Sequence, residues 1–95
     1  MVLEIATITV AEARRAEFET AFVEARKVIT SAPGAGAVAL QRCVETVGRY
    51  QLFVEWPSVA AHLEFRASPL FLEWRRIIGP YFAVPPLVEH YEKAG

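Results

Sequence analysis

The stretch FVEWPSVAAHLEFRASPLFLEW, Phe53 to Trp74, holds the transitions that decide the fold. Its first residues finish a strand that begins at Arg49, in which Tyr50, Leu52, Val54 and Trp56 alternate with Gln51, Phe53 and Glu55. Pro57-Ser58 stops that strand and opens a short helix, with Ser58 as N-cap. Ser68-Pro69 then restarts helix, Ser68 as N-cap and Pro69 at the first helical position, where its missing N–H costs nothing. Gly79-Pro80 ends this second helix. The stretch therefore reads as a strand feeding a broken helix pair.

Working outward, Ala37 to Glu45 reads as a partner strand, joined to Arg49–Trp56 through Thr46-Val47-Gly48, with Gly48 supplying the positive φ of the turn. Ala11 to Ser31 contains no Gly or Pro, and Phe18, Phe22, Ala25 and Ile29 recur at helical spacing as one apolar stripe. Glu12, Arg15, Glu19, Arg26 and Lys27 lie largely off that stripe and read as a solvated face. Pro33-Gly34-Ala35-Gly36 closes the helix. A phosphate-binding glycine loop would open one. Val2 to Val10 and Leu87 to Lys93 read as the first and last strands.

The order is strand, helix, strand, strand, helix pair, strand. That predicts an α+β, ferredoxin-like β-α-β-β-α-β domain over residues 1–95, with helices on one face of an antiparallel sheet. Both faces of the first strand are largely apolar: Val2, Glu4, Ala6, Ile8 and Val10 on one, Leu3, Ile5, Thr7 and Thr9 on the other. The face without helices thus calls for a cover of its own, and a homodimer through the sheet face is expected.

Composition points the same way. Hydrophobic residues make up 54% of 95 residues, and mean hydropathy is +0.26. A domain this small has much surface for its volume, so part of that apolar material is expected to be buried against another subunit. A net charge of −1 with scattered basic residues offers no field for nucleic acid or anionic lipid. A single Cys, Cys43, excludes an internal disulfide and a cysteine-based zinc site and reads as buried filler. MVLEIATITV lacks a basic leader region, and no run approaches the ~20 apolar residues of a membrane span. A cytoplasmic protein that binds neither nucleic acid nor membrane is expected.

Tyr50-Gln51-Leu52-Phe53-Val54-Glu55-Trp56 leading into Ser58, then Ala67-Ser68-Pro69 with Phe71 behind it, and a last strand with Val88-Glu89-His90-Tyr91 together resemble the antibiotic biosynthesis monooxygenase (ABM) domain family. The apolar first strand and the long helix closed by Pro33-Gly34 add to the likeness, which covers nearly the whole chain. The resemblance implies a dimeric α+β barrel with a pocket between helices and sheet. It also implies oxidation of a quinol or flat polyketide there without metal or flavin, haem degradation in some relatives, and no established activity in others. The residues used by haem-degrading relatives are replaced here by Ala6, Phe65 and Arg75, so haem degradation is not expected. Many members carry histidines where this chain has Phe65 and Leu70; His62 lies one helical turn earlier.

A cofactor-free oxygenase needs a base, an anion stabiliser and a dry pocket. His62 is the expected base or orienter, since imidazole titrates near ~6.5, and Arg75 the expected anion stabiliser. His90, Glu4 and Glu55 are lesser candidates for the base. Ala6, Ile8, Phe65, Phe71, Trp74 and Tyr81 are expected to line a pocket for a small aromatic ligand, with no cofactor. Two histidines and one cysteine give no metal-ligand spacing. The plainer roles are a boundary residue bonded to water or backbone for His62, a surface or dimer-contact residue for His90, and core for Trp74 and Trp56. A non-catalytic dimeric ligand-binding or accessory protein of the same fold is the competing expectation, and an isomerase or decarboxylase needs only the same acid–base groups.

Overall fold

The computed structural model describes every residue from Met1 to Gly95. Strand β1 (Val2–Thr9) is followed by a 3-10 turn (Glu12–Arg14) and helix α1 (Arg15–Thr30). Strands β2 (Val38–Arg42) and β3 (Arg49–Trp56) come next, then helices α2 (Val59–Arg66) and α3 (Pro69–Ile78), a 3-10 turn (Gly79–Tyr81) and strand β4 (Leu87–Tyr91). The sheet order is β2-β3-β1-β4 and every pairing is antiparallel. This is the ferredoxin-like arrangement. Within one chain the sheet is open, so the barrel implied by the resemblance would require a second copy.

The helices cover one face. Against it pack Glu4, Ala6, Ile8 and Val10 of the first strand segment and Tyr50, Leu52, Val54 and Trp56 of β3, all buried. Helix α1 contributes Phe18, Phe22, Ala25 and Ile29, all four buried as the stripe predicts. The opposite face carries Leu3, Ile5, Ala39 and Phe53 partly covered by their neighbours, with Leu87 and Tyr91 exposed. Ile5 stands between Phe53 and Glu89 across the strands, so an apolar row runs from Ala39 through Phe53 to Ile5 at the sheet centre and meets a charge on β4.

Local chemistry sets the boundaries. Gly34 and Gly48 adopt φ of 86° and 88°, the left-handed conformation that lets α1 end and the β2–β3 turn close. At Gly48 a Cβ would collide with the Val10 carbonyl oxygen. Ser58 caps α2 by accepting a hydrogen bond from the Ala61 N–H at 3.1 Å. Ser68 occupies the N-cap position of α3 but does not cap it; its hydroxyl turns back and donates to the Phe65 carbonyl at 2.7 Å.

Three expectations need correction at the edges. The second and last strands are shorter than Ala37–Glu45 and Leu87–Lys93, because regular pairing ends at Arg42 and Tyr91, with single backbone hydrogen bonds at Ala37 and Cys43 continuing the β2 edge. The helical segment begins as a 3-10 turn, without the regular α-helix expected from Ala11. Cys43 is half-buried, its thiol 3.7 Å from the Glu45 carboxylate, and so is not core filler. No helix is long and apolar enough to cross a membrane.

Candidate functional site

Helix α2 has only eight residues, yet it turns a histidine inward and leaves two aliphatic residues outside. His62 and Phe65 are buried, while Val59 and Leu63 are 39% and 51% exposed. The Ser58 cap fixes where the helix starts, and Phe65 locks its rotation by packing against Trp56 (5.6 Å between ring centroids) and edge-on against Phe71 (5.6 Å, 87°). With that rotation set, His62 falls over the sheet. Its ring stacks on the Trp56 indole at 5.2 Å and 19°.

The partner of His62 is a carboxylate in the middle of the core. Glu4 sits in the core-facing phase of β1 and is only 4% exposed. Its Oε1 accepts a hydrogen bond from Trp56 Nε1 at 2.9 Å and lies 3.3 Å from His62 Nε2. His62 Nδ1 in turn lies 2.7 Å from Nε2 of His90, which stands opposite Glu4 on the edge strand β4. Trp56, Glu4, His62 and His90 thus form one continuous chain of polar contacts across β3, β1, α2 and β4.

Burial governs the charges. It pushes the Glu4 carboxyl above its ordinary range, while the Trp56 hydrogen bond and the nearby Arg66 pull the other way. Burial, with His90 and Arg66 adding positive charge nearby, pushes His62 down to about 4. At neutral pH His62 is therefore an uncharged ring, and the 3.3 Å approach of its Nε2 to Glu4 Oε1 is a close polar contact and not an ion pair.

A cavity of about 490 Å³ opens above this chain, between the sheet and helices α2 and α3. Its floor is Glu4, Ala6, Ile8 and Leu52, with His62 and Arg66 from α2 on one side. Phe71, Trp74 and Arg75 of α3 form another wall, and the segment Phe82 to Pro86 with Val88 closes the remainder. That segment is anchored to the sheet by the Ala83 N–H donating to the Thr9 carbonyl at 2.8 Å and by a bridge between Val10 and Phe82. Another hollow of about 530 Å³ between α1 and α3 is lined by Glu24, Lys27, Glu73 and Arg76, which pair with one another at the surface and reach no buried ionisable group.

The cavity gathers Ala6, Ile8, Phe71, Trp74, His62 and Arg75 from the residues singled out in sequence. Phe65 and Tyr81 are not among its lining residues. Phe65 backs the wall between Trp56 and Phe71, and Tyr81 lies on the α1 side, 6.2 Å from Phe18 with the Arg14 guanidinium 4.4 Å from its ring centre. His62 is not a boundary residue bonded to water or backbone: it is 3% exposed, hydrogen-bonded to His90 and 3.3 Å from the Glu4 carboxylate. His90 is half-buried and inward enough to meet it. Glu55 faces the other side of the sheet from Glu4, opposite Leu3. Arg66, Leu52, Val88 and the Phe82–Pro86 segment were not singled out, because only the packing of α2 and of the last connection brings them to the cavity.

Both ring nitrogens of His62 face a polar neighbour, Glu4 on one side and His90 on the other. Glu4 Oε1 accepts from Trp56 and lies against His62, whereas Oε2 takes no protein hydrogen bond at the cavity floor. The histidine and carboxylate groups are strung in a line, each nitrogen facing the next group, and do not converge on a point; no cluster of three His, Cys, Asp or Glu side chains is arranged to hold a metal ion.

The model of the family described as antibiotic biosynthesis monooxygenase matches residues 1–77. The chain belongs to this family. Among curated proteins it is similar to the uncharacterized protein YczJ of Bacillus subtilis (strain 168), with 34% identity over 93 residues covering 97% of this chain and 98% of that one. Among solved structures, a Bordetella bronchiseptica protein provisionally named an antibiotic biosynthesis monooxygenase shares 42% identity over 98% of this chain and 96% of its own, with a TM-score of 0.94. SnoaB of Streptomyces nogalater, a cofactor-independent oxygenase, shares the fold at a TM-score of 0.79 and 21% identity, covering 99% of this chain and 93% of that one. In this ABM-family chain the buried histidine of α2 is His62, and the next inward position, Phe65, is aromatic core.

Proposed function

We propose that this ABM-family protein is a cofactor-independent monooxygenase acting on a small, flat, electron-rich aromatic with an acidic proton, such as a quinol or a polyketide-like phenol. The observation that carries the reading is a buried carboxylate, oriented by Trp56 and His62, on the floor of a cavity walled by Trp74 and Phe71. Membership of the family and the same fold in SnoaB support the reaction class; fold alone does not choose a substrate.

Glu4 Oε2 takes the substrate proton, a task suited to a carboxylate whose burial raises its proton affinity. Arg75 and Arg66 at the rim offset the charge of the resulting anion, and Trp74 and Phe71 hold its ring. The anion passes one electron to O₂, and the radical and superoxide combine to a peroxide. Glu4 returns the proton, and loss of water leaves the carbonyl, so one O₂ gives one oxidised product and one water. A second copy covers the bare sheet face in this reading; the apolar residues Leu3, Ile5, Phe53, Leu87 and Tyr91 on that face support it, given that a standard interface takes ~800 Å² from each partner.

The test is to screen quinols, anthrones and flavonoid-like compounds by thermal shift and then follow O₂ uptake on each binder. Glu4→Gln and the double variant His62→Ala with Arg75→Ala should both abolish most uptake while the fold persists by circular dichroism. Unchanged turnover in both would refute the assignment. Stabilising ligands with no O₂ uptake would point to a binding module, a reading the absence of histidine at Phe65 and Leu70 favours.

A further inference from the structure

The base at the cavity floor has a second connection, away from the cavity. From Glu4 a line of polar contacts runs to His62 at 3.3 Å and on to His90 at 2.7 Å, and His90 lies on β4, the edge strand of the sheet, half-buried where His62 is closed off. Neither histidine of this chain is spare: the sequence has two, and both are in this line. A substrate seated between Trp74 and Phe71 would cover Glu4 from the cavity side, so a Glu4 that is protonated when substrate binds reaches the ionised form the reaction needs only by another path to solvent.

We infer that Glu4, His62 and His90 form a proton relay, with His90 the port at the sheet edge and His62 passing the proton by exchanging its two tautomers. The inference rests on the cavity base assigned above and extends it to His90.

The proton count closes. With Glu4 ionised, its Oε1 accepts from His62 Nε2–H, so His62 Nδ1 is a bare acceptor and His90 Nε2–H must donate to it. A proton arriving from water at His90 Nδ1 releases the His90 Nε2 proton to His62 Nδ1. The His62 Nε2 proton then moves to Glu4 Oε1. The end state is a neutral carboxyl donating to His62 Nε2, with His62 Nδ1–H donating to His90 and no ring left charged. One proton has entered and every hydrogen bond is remade in the opposite sense. The reverse sequence discharges a proton held on Glu4 Oε1 to solvent through the same edge.

Two features of the surroundings favour this route over a protonated His62. Burial raises the proton affinity of the carboxyl and lowers that of the ring, so an added proton settles on Glu4. The charged side chains that face the relay are Arg66 from α2 and Arg75 from α3, both cations that disfavour an imidazolium; β3 offers Trp56, a neutral donor, and β4 offers His90. The stack of His62 on Trp56 holds the ring plane while its protons move, so the relay needs no ring flip.

The two-histidine composition makes the test direct. Ring-¹⁵N-labelled histidine gives four ring-nitrogen signals, and the pH titration needs no substrate, so its outcome is independent of the oxygenase reading. As Glu4 takes up its proton, His62 Nε2 should shift from a protonated, pyrrole-type signal to an unprotonated, pyridine-type one, with Nδ1 shifting in the opposite sense and no imidazolium pattern. In Glu4→Gln, which accepts from Trp56 but does not titrate, the exchange should be lost. In His90→Ala the exchange broadening should disappear because the two forms interconvert slowly, and added imidazole should restore it, an outcome a merely structural His90 would not give. A His62 fixed as the Nε2–H tautomer throughout, an imidazolium formed beside an ionised Glu4, or a tautomer exchange that survives Glu4→Gln would each overturn the relay.

Discussion

The replacement His62→Gln isolates the energetic consequence of burying a titratable ring. Glutamine is close in size, can donate to Glu4 and accept from His90, and does not titrate. In the folded protein His62 is pushed from 6.5 down to about 4, and its side chain is only 4% exposed, so solvent screening does little to reduce the effect. Between those two values the unfolded chain binds a proton that the folded chain refuses. Stability is therefore complete above the unfolded pKa and is lost as pH falls through the window towards about 4. At ~1.4 kcal/mol per pH unit, the loss amounts to about 3 kcal/mol. That is a large share of the ~5–15 kcal/mol available to a domain. Glu4 acts in the opposite sense, since a raised carboxyl contributes stability below its ordinary range that disappears as pH rises through its folded value. Because Glu4 is present in both proteins, subtracting one profile from the other removes it. The assay is urea unfolding by far-UV circular dichroism across this pH range, at one fixed protein concentration because association would add to apparent stability. The wild type should lose about 3 kcal/mol more than His62→Gln on acidification. Parallel profiles would show that His62 titrates freely in the folded chain and would refute the burial argument.

Four further outcomes follow from individual contacts. Trp56→Phe keeps the stack under His62 but removes the donor to Glu4 Oε1; it should cost about 2 kcal/mol in urea unfolding and raise the Glu4 carboxyl further, readable in the ¹³C carboxyl titration. Gly48→Ala combines a φ of 88° with a Cβ directed into the Val10 carbonyl oxygen and should cost at least about 2 kcal/mol, measured the same way. Phe53→Glu places a charge at the centre of the bare sheet face, beside Ile5, and should give a monomer by light scattering with an unchanged circular dichroism spectrum. Arg75→Ala should weaken binding of an anionic phenolate more than of its neutral methyl ether, with the difference shrinking as salt is added, by titration calorimetry.

The fold was legible because its signals are local. The stripe Phe18, Phe22, Ala25, Ile29 specifies which side of α1 is buried, Ser58 and Pro69 mark helix starts, and Gly48 supplies the one turn conformation that other residues resist. Strand ends were less legible: Ala37 still accepts from the Glu55 N–H, while Val44 and Glu45 have the composition of strand but no partner to pair with. Of the site, Trp74, Phe71 and Arg75 were readable from one helix, while Phe65 and Tyr81 share its aromatic character and point elsewhere. A signal for the buried carboxylate was present: Glu4 is the one charged residue in the core-facing phase of an otherwise apolar strand.

By itself the sequence determined the order of elements, the face each long element buries, and the kinship with ABM domains, because periodicity and turn chemistry act over a few neighbouring residues. Only the tertiary structure decided the arrangement of the site. Glu4, His62 and His90 lie 52 positions or fewer from Trp56 along the chain yet meet as one line of polar contacts, since antiparallel pairing of β1 with β3 and β4 sets Glu4 beside both and the short α2 is rotated by Phe65. Whether a buried carboxyl is an isolated liability or a partnered base depends on those long-range neighbours, and no spacing along the chain encodes them.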